Sequence, residues 1–160
     1  MIVVGVDAGL RKLGLAVFHA GELMLCETLR VGGRARGVSA WLLAADAVSA
    51  ALDGVVPDVL VIERMQLDKR TRGGVVGDVI ELSGVVGAIV ATVPSAELYS
   101  YTPSQWKGSR PKDVEHRYLR RLLRPAELAI VEGAGHDALD AVGIAAHYLR
   151  STIPQSRWIR

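Results

Sequence analysis

Two short apolar segments, each ending in a single acidic residue, constrain the fold of this chain more than any other feature. The segment IVVGVD ends at Asp7, and the segment DVLVIE ends at Glu63. Continuous apolar runs of this length predict strands buried on both faces of a sheet. A carboxylate in such a place needs a compensating partner, because burying an unpaired charge is costly. Sites form where neighbouring strands of an open sheet end, so the two acids lie together if these two strands are neighbours.

The rest of the chain predicts a mixed sheet covered by helices. The first three predicted strands, residues 2–7, 13–18 and 23–30, are joined by short turns and therefore form an antiparallel meander. Helices and strands then alternate, which adds two parallel strands and places helices on both faces of the sheet. The predicted order after the meander is helix 37–53, strand 58–63, helix 75–92, strand 97–101, loop 103–111, helix 112–124, a short helix after Pro125 and helix 136–150. This α/β domain covers residues 1–152 and leaves a C-terminal tail at 153–160.

Composition limits the class of protein. The chain has 160 residues, the length of one ordinary domain. Cys26 is the only cysteine, so no intrachain disulfide can form and a reducing cytoplasm is expected. No apolar run reaches the roughly 18 residues of a membrane span, so no membrane partner is expected. The formal net charge of +2 does not indicate nucleic acid by itself, and the distribution of charge has to decide.

A third segment, HDALD, adds two more carboxylates. Asp137 and Asp140 have i, i+3 spacing, which places both on one face of the last predicted helix. If they join Asp7 and Glu63, the repulsion is large, because two carboxylates about 4 Å apart repel by roughly 4 kcal/mol at an effective dielectric near 20. Hard divalent ions such as Mg²⁺ relieve this repulsion, and two ions together can hydrolyse a phosphodiester.

Each of these acids also has a simpler interpretation. Asp7 alone is compatible with a turn at the end of a strand. Asp137 and Asp140 are compatible with capping of the last helix, with Asp137 as the N-cap and Asp140 favoured by the helix dipole. His136 either approaches the ions or is an ordinary residue of the first turn. Taken together, acids from three segments favour a metal site.

Basic side chains are concentrated in two segments. In QWKGSRPKDVEHRYLRRLLR they are Lys107, Arg110, Lys112, Arg117, Arg120, Arg121 and Arg124, and the segment after Glu63 adds Arg64, Lys69, Arg70 and Arg72. The predicted inward stripe of the helix is Val114, Tyr118, Leu119, Leu122 and Leu123. The first turn contributes Arg11 and Lys12. Such a density suits a phosphate backbone. The arginine stripe alone fits a solvated helix face better, and the acidic metal site beside it shifts the interpretation toward nucleic acid.

In this order, the segments GVDAGLRKLGLAVF, VLVIE and HDALDA resemble the RuvC-type Holliday junction resolvases of the ribonuclease H-like superfamily. The resemblance spans nearly the whole chain. It implies a homodimeric endonuclease that uses Mg²⁺ or Mn²⁺, two ions per site, and nicks two symmetric strands of a four-way DNA junction. The residues matching its metal-binding acids are Asp7, Glu63, Asp137 and Asp140. The two lysines of the family resemble Lys107 and Lys112.

Some features differ from that family or fit others. Resolvases of this type carry an aromatic residue soon after the strand-end glutamate, whereas Met65, Gln66 and Leu67 stand here, so junction selectivity and sequence preference stay open.

The segment WKGSRPK is more similar to phage-borne relatives, which leaves a bacterial or a viral origin open. The turn AGLRKLGLAV also resembles the YqgF family, which is linked to ribosomal RNA processing. Parts of the sequence also fit a non-cutting module that binds branched nucleic acid, or an ATP-binding protein of the actin-like class, which needs more than 160 residues.

Overall fold

Five strands and six helices form one α/β unit in the computed structural model, which describes residues 1–33, 35–65, 74–154 and 156–158, with only the backbone of 74–75. The strands are β1 (Ile2–Asp7), β2 (Lys12–His19), β3 (Glu22–Arg30), β4 (Val59–Glu63) and β5 (Glu97–Tyr101). The helices are α1 (Val38–Leu52), α2 (Gly74–Thr92), α3 (Pro103–Trp106), α4 (Lys112–Leu122), α5 (Pro125–Val131) and α6 (His136–Thr152).

The sheet has the strand order β3-β2-β1-β4-β5, with β1 in the centre. Strands β1, β2 and β3 form an antiparallel meander, while β4 and β5 run parallel to β1. The short turns join antiparallel neighbours, and α1 and α2 lie in the crossover connections that parallel strands need. The predicted mixed sheet is confirmed.

Alternate residues of the central strand face two separate cores. Val4 and Val6 of β1 lie in a core with α1 and α2, whereas Val3 lies in a core with α4 and α6. Residues of β4 alternate in the same way, because successive side chains of a strand point to opposite faces of the sheet. Helices therefore cover both faces, as predicted, and both central strands are buried on both sides.

Helix α6 lies very close to the sheet because glycines face it. A Cβ atom at Gly5 of β1 would overlap the carbonyl oxygen of Ala141 and lie 2.8 Å from the Cβ of Ala145. A Cβ atom at Gly14 of β2 would overlap the carbonyl oxygen of Asp137. Glycine permits this close approach of two backbones. Gly14 is paired with Asp7 in the sheet, so the first turn of α6 rests against the strand end that carries Asp7.

The long apolar helix α2 packs against α1 through a glycine. A Cβ atom at Gly84 would overlap the ring of Trp41, so this small residue serves helix packing within the chain. The indole Nε1 of Trp41 donates a hydrogen bond of 2.9 Å to Glu81.

Among the described helices, none combines the length and the apolar character that a bilayer crossing requires.

Residues 103–106 form a helical turn, α3, where a loop is predicted. Proline is favoured at the first position of a helix, and Pro103 stands there. The side chain of Gln105 accepts a hydrogen bond of 2.8 Å from the backbone N–H of Thr102, as in a capping box. These two local features outweigh the polar, loop-like composition of the segment.

The buried face of α4 is partly polar, unlike the apolar stripe predicted for it. Leu119 is buried as predicted and Tyr118 is half-buried, but Val114 is exposed. Glu115 and His116 are buried in its place, with 3% and 2% of their surface exposed. Leu123 is buried and Leu122 half-buried as well, so the predicted stripe is wrong only at Val114, where side chains with polar partners are buried instead.

The C-terminal segment is irregular, as predicted, yet it packs onto the domain. Trp158 is 1% exposed, and its ring meets Phe18 edge to face at a centroid distance of 5.5 Å. Arg157 forms an ion pair with the buried Glu127 of α5. Trp158 is therefore part of the core, while the domain boundary at residue 152 stays a prediction.

The close contact between β1 and α6 predicts that Gly5→Ala is destabilising. The added methyl group has no space, and overpacking of a core typically costs about 1–3 kcal/mol of unfolding free energy. Gly87→Ala is the control, because a Cβ at this exposed position of α2 meets no atom within 4 Å. Removing a helical glycine there should add about 0.5–1 kcal/mol. Urea denaturation measures both, and equal stability of the two variants would contradict the packing described.

Candidate active site

Four acidic side chains come together where β1 and β4 end beside the start of α6. Strands β1 and β4 are parallel and paired as far as Val6 and Ile62, so Asp7 and Glu63 follow at the same edge of the sheet. Both occupy alternate positions that face α6 rather than α1 and α2. Helix α6 adds the remaining two, Asp137 and Asp140, in its first two turns.

The carboxylates of this cluster repel one another. Burial, followed by the charges of Glu63, Asp140 and Asp137, raises the pKa of Asp7 from 3.8 to about 8, against the opposing charge of Lys112. Burial also raises the pKa of Glu63, although a hydrogen bond from Trp106 and the charge of Lys107 oppose this. The negative charge of the cluster is thus incompletely compensated by the protein itself.

Lys112, at the start of α4, forms the direct ion pair of the cluster. Its Nζ lies 2.6 Å from Oδ2 of Asp140 and 4.0 Å from Oδ1 of Asp137. Burial lowers the pKa of Lys112, but the hydrogen bond to Asp140 and the charges of Asp140, Asp7 and Asp137 together raise it above its usual value. Lys112 therefore stays charged beside the acids.

The donor set fits a hard divalent cation. Carboxylate oxygens are the ligands that Mg²⁺ and Mn²⁺ prefer, and the raised pKa of Asp7 marks negative charge that such an ion would compensate. Within the described part of the chain, no three acidic or imidazole groups stand close enough to hold an ion together as they are placed here. The side chains would have to draw closer around one.

The segment from α3 to α4 contacts both sides of the cluster. The buried Trp106 of α3 donates a hydrogen bond of 2.7 Å from its indole Nε1 to Oε2 of Glu63. Lys107 follows directly, with its Nζ 4.9 Å from the centroid of the Trp106 ring. Lys112 then reaches Asp140. Both predicted lysines are therefore adjacent to the acids, and Trp106 holds the carboxylate of Glu63 through its hydrogen bond.

Two histidines adjoin the cluster, the buried His116 and the exposed His136. Nε2 of His116 on α4 lies 2.7 Å from Oδ1 of Asp140, and its Nδ1 lies 3.2 Å from Nδ1 of His136. The sequence interpretation missed His116, because it assigned the inward face of α4 from apolar residues alone. The available signal was its spacing, one turn from Lys112 on the same helical face.

Capping does not explain the acids of α6. The N-cap residue of this helix is Gly135, without a side-chain capping bond, and Asp137 lies inside the first turn. Asp140 is 4% exposed and held by Lys112 and His116. The alternative in which Asp137 is the N-cap is therefore wrong.

The predicted basic residues fall into several groups. Arg11, Lys12 and Arg64 are exposed on the segments that follow β1 and β4, at the edge of the sheet where the acids lie. Arg110 contacts the buried Glu115, with Nε 2.7 Å from Oε2, and thereby holds the loop between the two lysines. Lys69, Arg70 and Arg72 lie outside the described residues.

The arginine stripe of α4 is exposed as predicted but does not contact the acids. Arg117 pairs with Asp113 one turn away, at 3.1 Å. Arg120 lines a shallow depression with α5, and Arg121 lines another with Arg157 of the C-terminal segment. Beside the β1–β2 turn, a groove of about 710 Å³ is lined by Arg11 and Arg36, among others.

Comparison by sequence finds no relative: no protein-family model and no curated protein matches the chain. Comparison by structure does. Thermus thermophilus RuvC in complex with a Holliday junction substrate aligns with a TM-score of 0.67 and 23% identity, over 94% of this chain and 96% of that one. The chain has the ribonuclease H-like fold of the RuvC-type resolvases.

Further resolvases share this RuvC-type fold. The fowlpox virus Holliday junction resolvase aligns with a TM-score of 0.56 and 14% identity, over 94% of this chain and 99% of that one. The yeast mitochondrial Holliday junction resolvase Ydc2 aligns with a TM-score of 0.59 and 15% identity, over 98% of this chain and 78% of that one. The fold and the resemblance to RuvC expected from sequence are both confirmed.

The raised pKa of Asp7 predicts how stability depends on pH in the absence of divalent ions. A carboxyl with a higher pKa in the folded than in the unfolded state favours folding below about pH 4 and loses that contribution as the pH rises toward about 8. Asp7→Asn cannot ionise, so its melting temperature should exceed that of the wild type by several degrees near pH 8.5 and by much less near pH 5.

The control for this measurement is Asp46→Asn. Asp46 is exposed on α1, so its replacement should leave the wild-type pH profile of melting in EDTA unchanged. Parallel profiles for the wild type and Asp7→Asn would contradict the burial of Asp7 among other carboxylates.

Proposed function

We propose that this protein is a divalent-metal-dependent endonuclease that resolves four-way DNA junctions. The observation that carries the proposal is the placement of Asp7 and Glu63 at adjacent parallel strand ends, facing Asp137 and Asp140 of α6. The RuvC-type fold supports it, because RuvC, the fowlpox virus resolvase and Ydc2, which share this fold with the chain, are Holliday junction resolvases. The YqgF-like and the non-cutting alternatives have no such observation in their favour.

The four acids would hold Mg²⁺ or Mn²⁺, two ions per site. Bound ions would activate the attacking water and stabilise the leaving oxygen of the phosphodiester. Lys107 and Lys112 lie beside Glu63 and Asp140, so they would supply positive charge next to the scissile phosphate. Because Lys112 is paired with Asp140 here, it is already held in place before DNA binds.

The basic side chains around the acids would bind the DNA backbone on either side of the cleaved bond. Arg11, Lys12 and Arg64 are exposed at the edge of the sheet where the acids lie. Further along the DNA, we assign backbone contacts to Lys69, Arg70, Arg72, Arg110, Arg117, Arg120 and Arg121. Contacts of this kind are salt-dependent and independent of sequence.

Asp7→Asn should abolish junction cleavage. Loss of a metal-binding carboxylate should cost more than the 10–100-fold that changes to outer-shell residues typically cost. Cleavage of a labelled four-way junction in Mg²⁺ is the measurement, with flaps, splayed arms and structured RNA as further substrates. Asp46→Asn, on the exposed surface of α1, is the matched control and should cleave as the wild type does.

Undiminished cleavage by Asp7→Asn would refute this assignment of the site. Junction binding by the wild type without any nick in Mg²⁺ or Mn²⁺ would instead identify a non-cutting binding module. Cleavage confined to structured RNA would favour the YqgF-like alternative.

We further propose that the protein acts as a homodimer, because paired nicks in a near-two-fold junction need two active sites. Exposed apolar side chains on α2 support an interface there: Val76 and Ile80 lie one turn apart, with 48% and 61% of their surface exposed. Light scattering should give twice the mass of the chain for the wild type. Ile80→Asp should shift the mass to that of a monomer.

Val56→Asp is the control for Ile80→Asp, since Val56 is equally exposed but lies in the loop before β4. A monomeric mass of the wild type, both free and bound to a junction, would contradict resolution by paired cuts.

A further inference from the structure

His116 is buried between α4 and α6, in contact with the acidic cluster. Only 2% of its surface and 4% of the surface of Asp140 is exposed. Nε2 of His116 lies 2.7 Å from Oδ1 of Asp140, while Nζ of Lys112 lies 2.6 Å from the other carboxylate oxygen, Oδ2. Both oxygens of Asp140 therefore have partners, and both partners come from α4.

The two helices match in register. Lys112 and His116 lie one turn apart on α4, and His136 and Asp140 lie one turn apart on α6. His116 contacts both residues of the α6 pair, since its Nδ1 lies 3.2 Å from Nδ1 of His136. This register explains why an imidazole, rather than an apolar side chain, is buried at this position of α4.

The contacts of His116 fix which of its nitrogens carries the proton. The carboxylate of Asp140 only accepts hydrogen bonds, so Nε2–H of His116 donates to it. In the neutral imidazole Nδ1 is then an acceptor, and Nδ1–H of His136 is its donor. A chain of two hydrogen bonds thus runs from the surface residue His136 through the buried His116 to Asp140.

We propose that His116 is a positioning residue that holds the carboxylate of Asp140 in the orientation that divalent-ion binding requires. The proposal rests on the metal-dependent function proposed for the same acids. A side chain that fixes one oxygen of a carboxylate also fixes the direction of the other oxygen. Hydrogen-bond partners of this kind orient metal ligands, and their loss typically weakens metal affinity by 10–100-fold.

Two substitutions of His116 by side chains of similar polarity distinguish a role in positioning Asp140 from a role in core packing. In His116→Gln, the side-chain amide nitrogen stands near the place of Nε2 and can still donate to Asp140. In His116→Asn, the amide stands near the place of Nδ1 and does not reach Asp140. His147→Asn is the matched control, because His147 is a half-buried histidine of α6 that contacts Arg150 and Tyr101 instead of the acids.

Mn²⁺ binding to the DNA-free full chain, measured by titration calorimetry, is the readout. We expect His116→Asn to weaken binding about 10–100-fold, and His116→Gln and His147→Asn to stay within about threefold of the wild type. Wild-type affinity in His116→Asn, equal weakening in His116→Gln, or equal weakening in His147→Asn would each overturn the proposal. A wild type that binds no Mn²⁺ would refute the metal-dependent function itself, and this proposal with it.

A second measurement needs no variant and stands even if a substituted protein fails to fold. Long-range ¹⁵N–¹H correlation spectra of the wild type report the tautomer of each of the four histidines. We expect His116 to carry a proton on Nε2, where it faces the carboxylate of Asp140. A proton on Nδ1 alone would overturn the proposal, because Nε2 could then not donate to Asp140.

Discussion

The approach of α6 to the backbone of β1 and β2 is the constraint on which the site depends. At Gly5 and Gly14 the helix rests almost directly on the strands, where any Cβ would collide with its backbone. Because Gly14 is the sheet partner of Asp7, the same contact that packs the helix also sets the distance between Asp7 and the acids of α6. The packing of α6 and the distance between its acids and Asp7 therefore depend on the same contact, so a substitution that changes one also changes the other.

The second requirement is compensation of charge around acids held so closely. Burial and the charges of Glu63, Asp140 and Asp137 raise the pKa of Asp7 to about 8, and only the α3–α4 segment provides partners for the acids in the described part of the chain. Trp106 supports Glu63, while Lys112 and His116 take the two oxygens of Asp140. A single short stretch of chain thus bridges a strand and a helix that belong to different halves of the sequence.

Much of the fold could be predicted from the sequence because its signals are local. Apolar runs and short turns indicate the meander, and alternating helices and strands indicate the parallel part of the sheet. The acids of the site could also be predicted, since a carboxylate at the end of a buried strand, as at Glu63, is costly unless a site requires it. Thr102 and Gln105 also have the spacing of a capping box, which indicates the start of α3. The polar composition of the segment favours a loop, and the prediction followed the composition.

The rest could not be predicted because it depends on partners distant in sequence. Burial of His116 instead of Val114 follows from the presence of Asp140 on another helix, which no periodicity within α4 reveals. The packing of Trp158 depends in the same way on Phe18, at the opposite end of the chain. The close contact between Gly14 and the backbone of α6 cannot be predicted from the sequence either, because a glycine within a strand is compatible with several structural roles.

The alternation of side chains along β1 and β4 also restricts how this sequence can diverge. Asp7 and Glu63 face α6 because each lies an even number of residues from a core position on that side, such as Val3 and Val61. Inserting or deleting one residue between those positions and the acid would turn the carboxylate toward α1 and α2. A change of length in the segments beyond the acids, by contrast, would leave the spacing within the two strands intact.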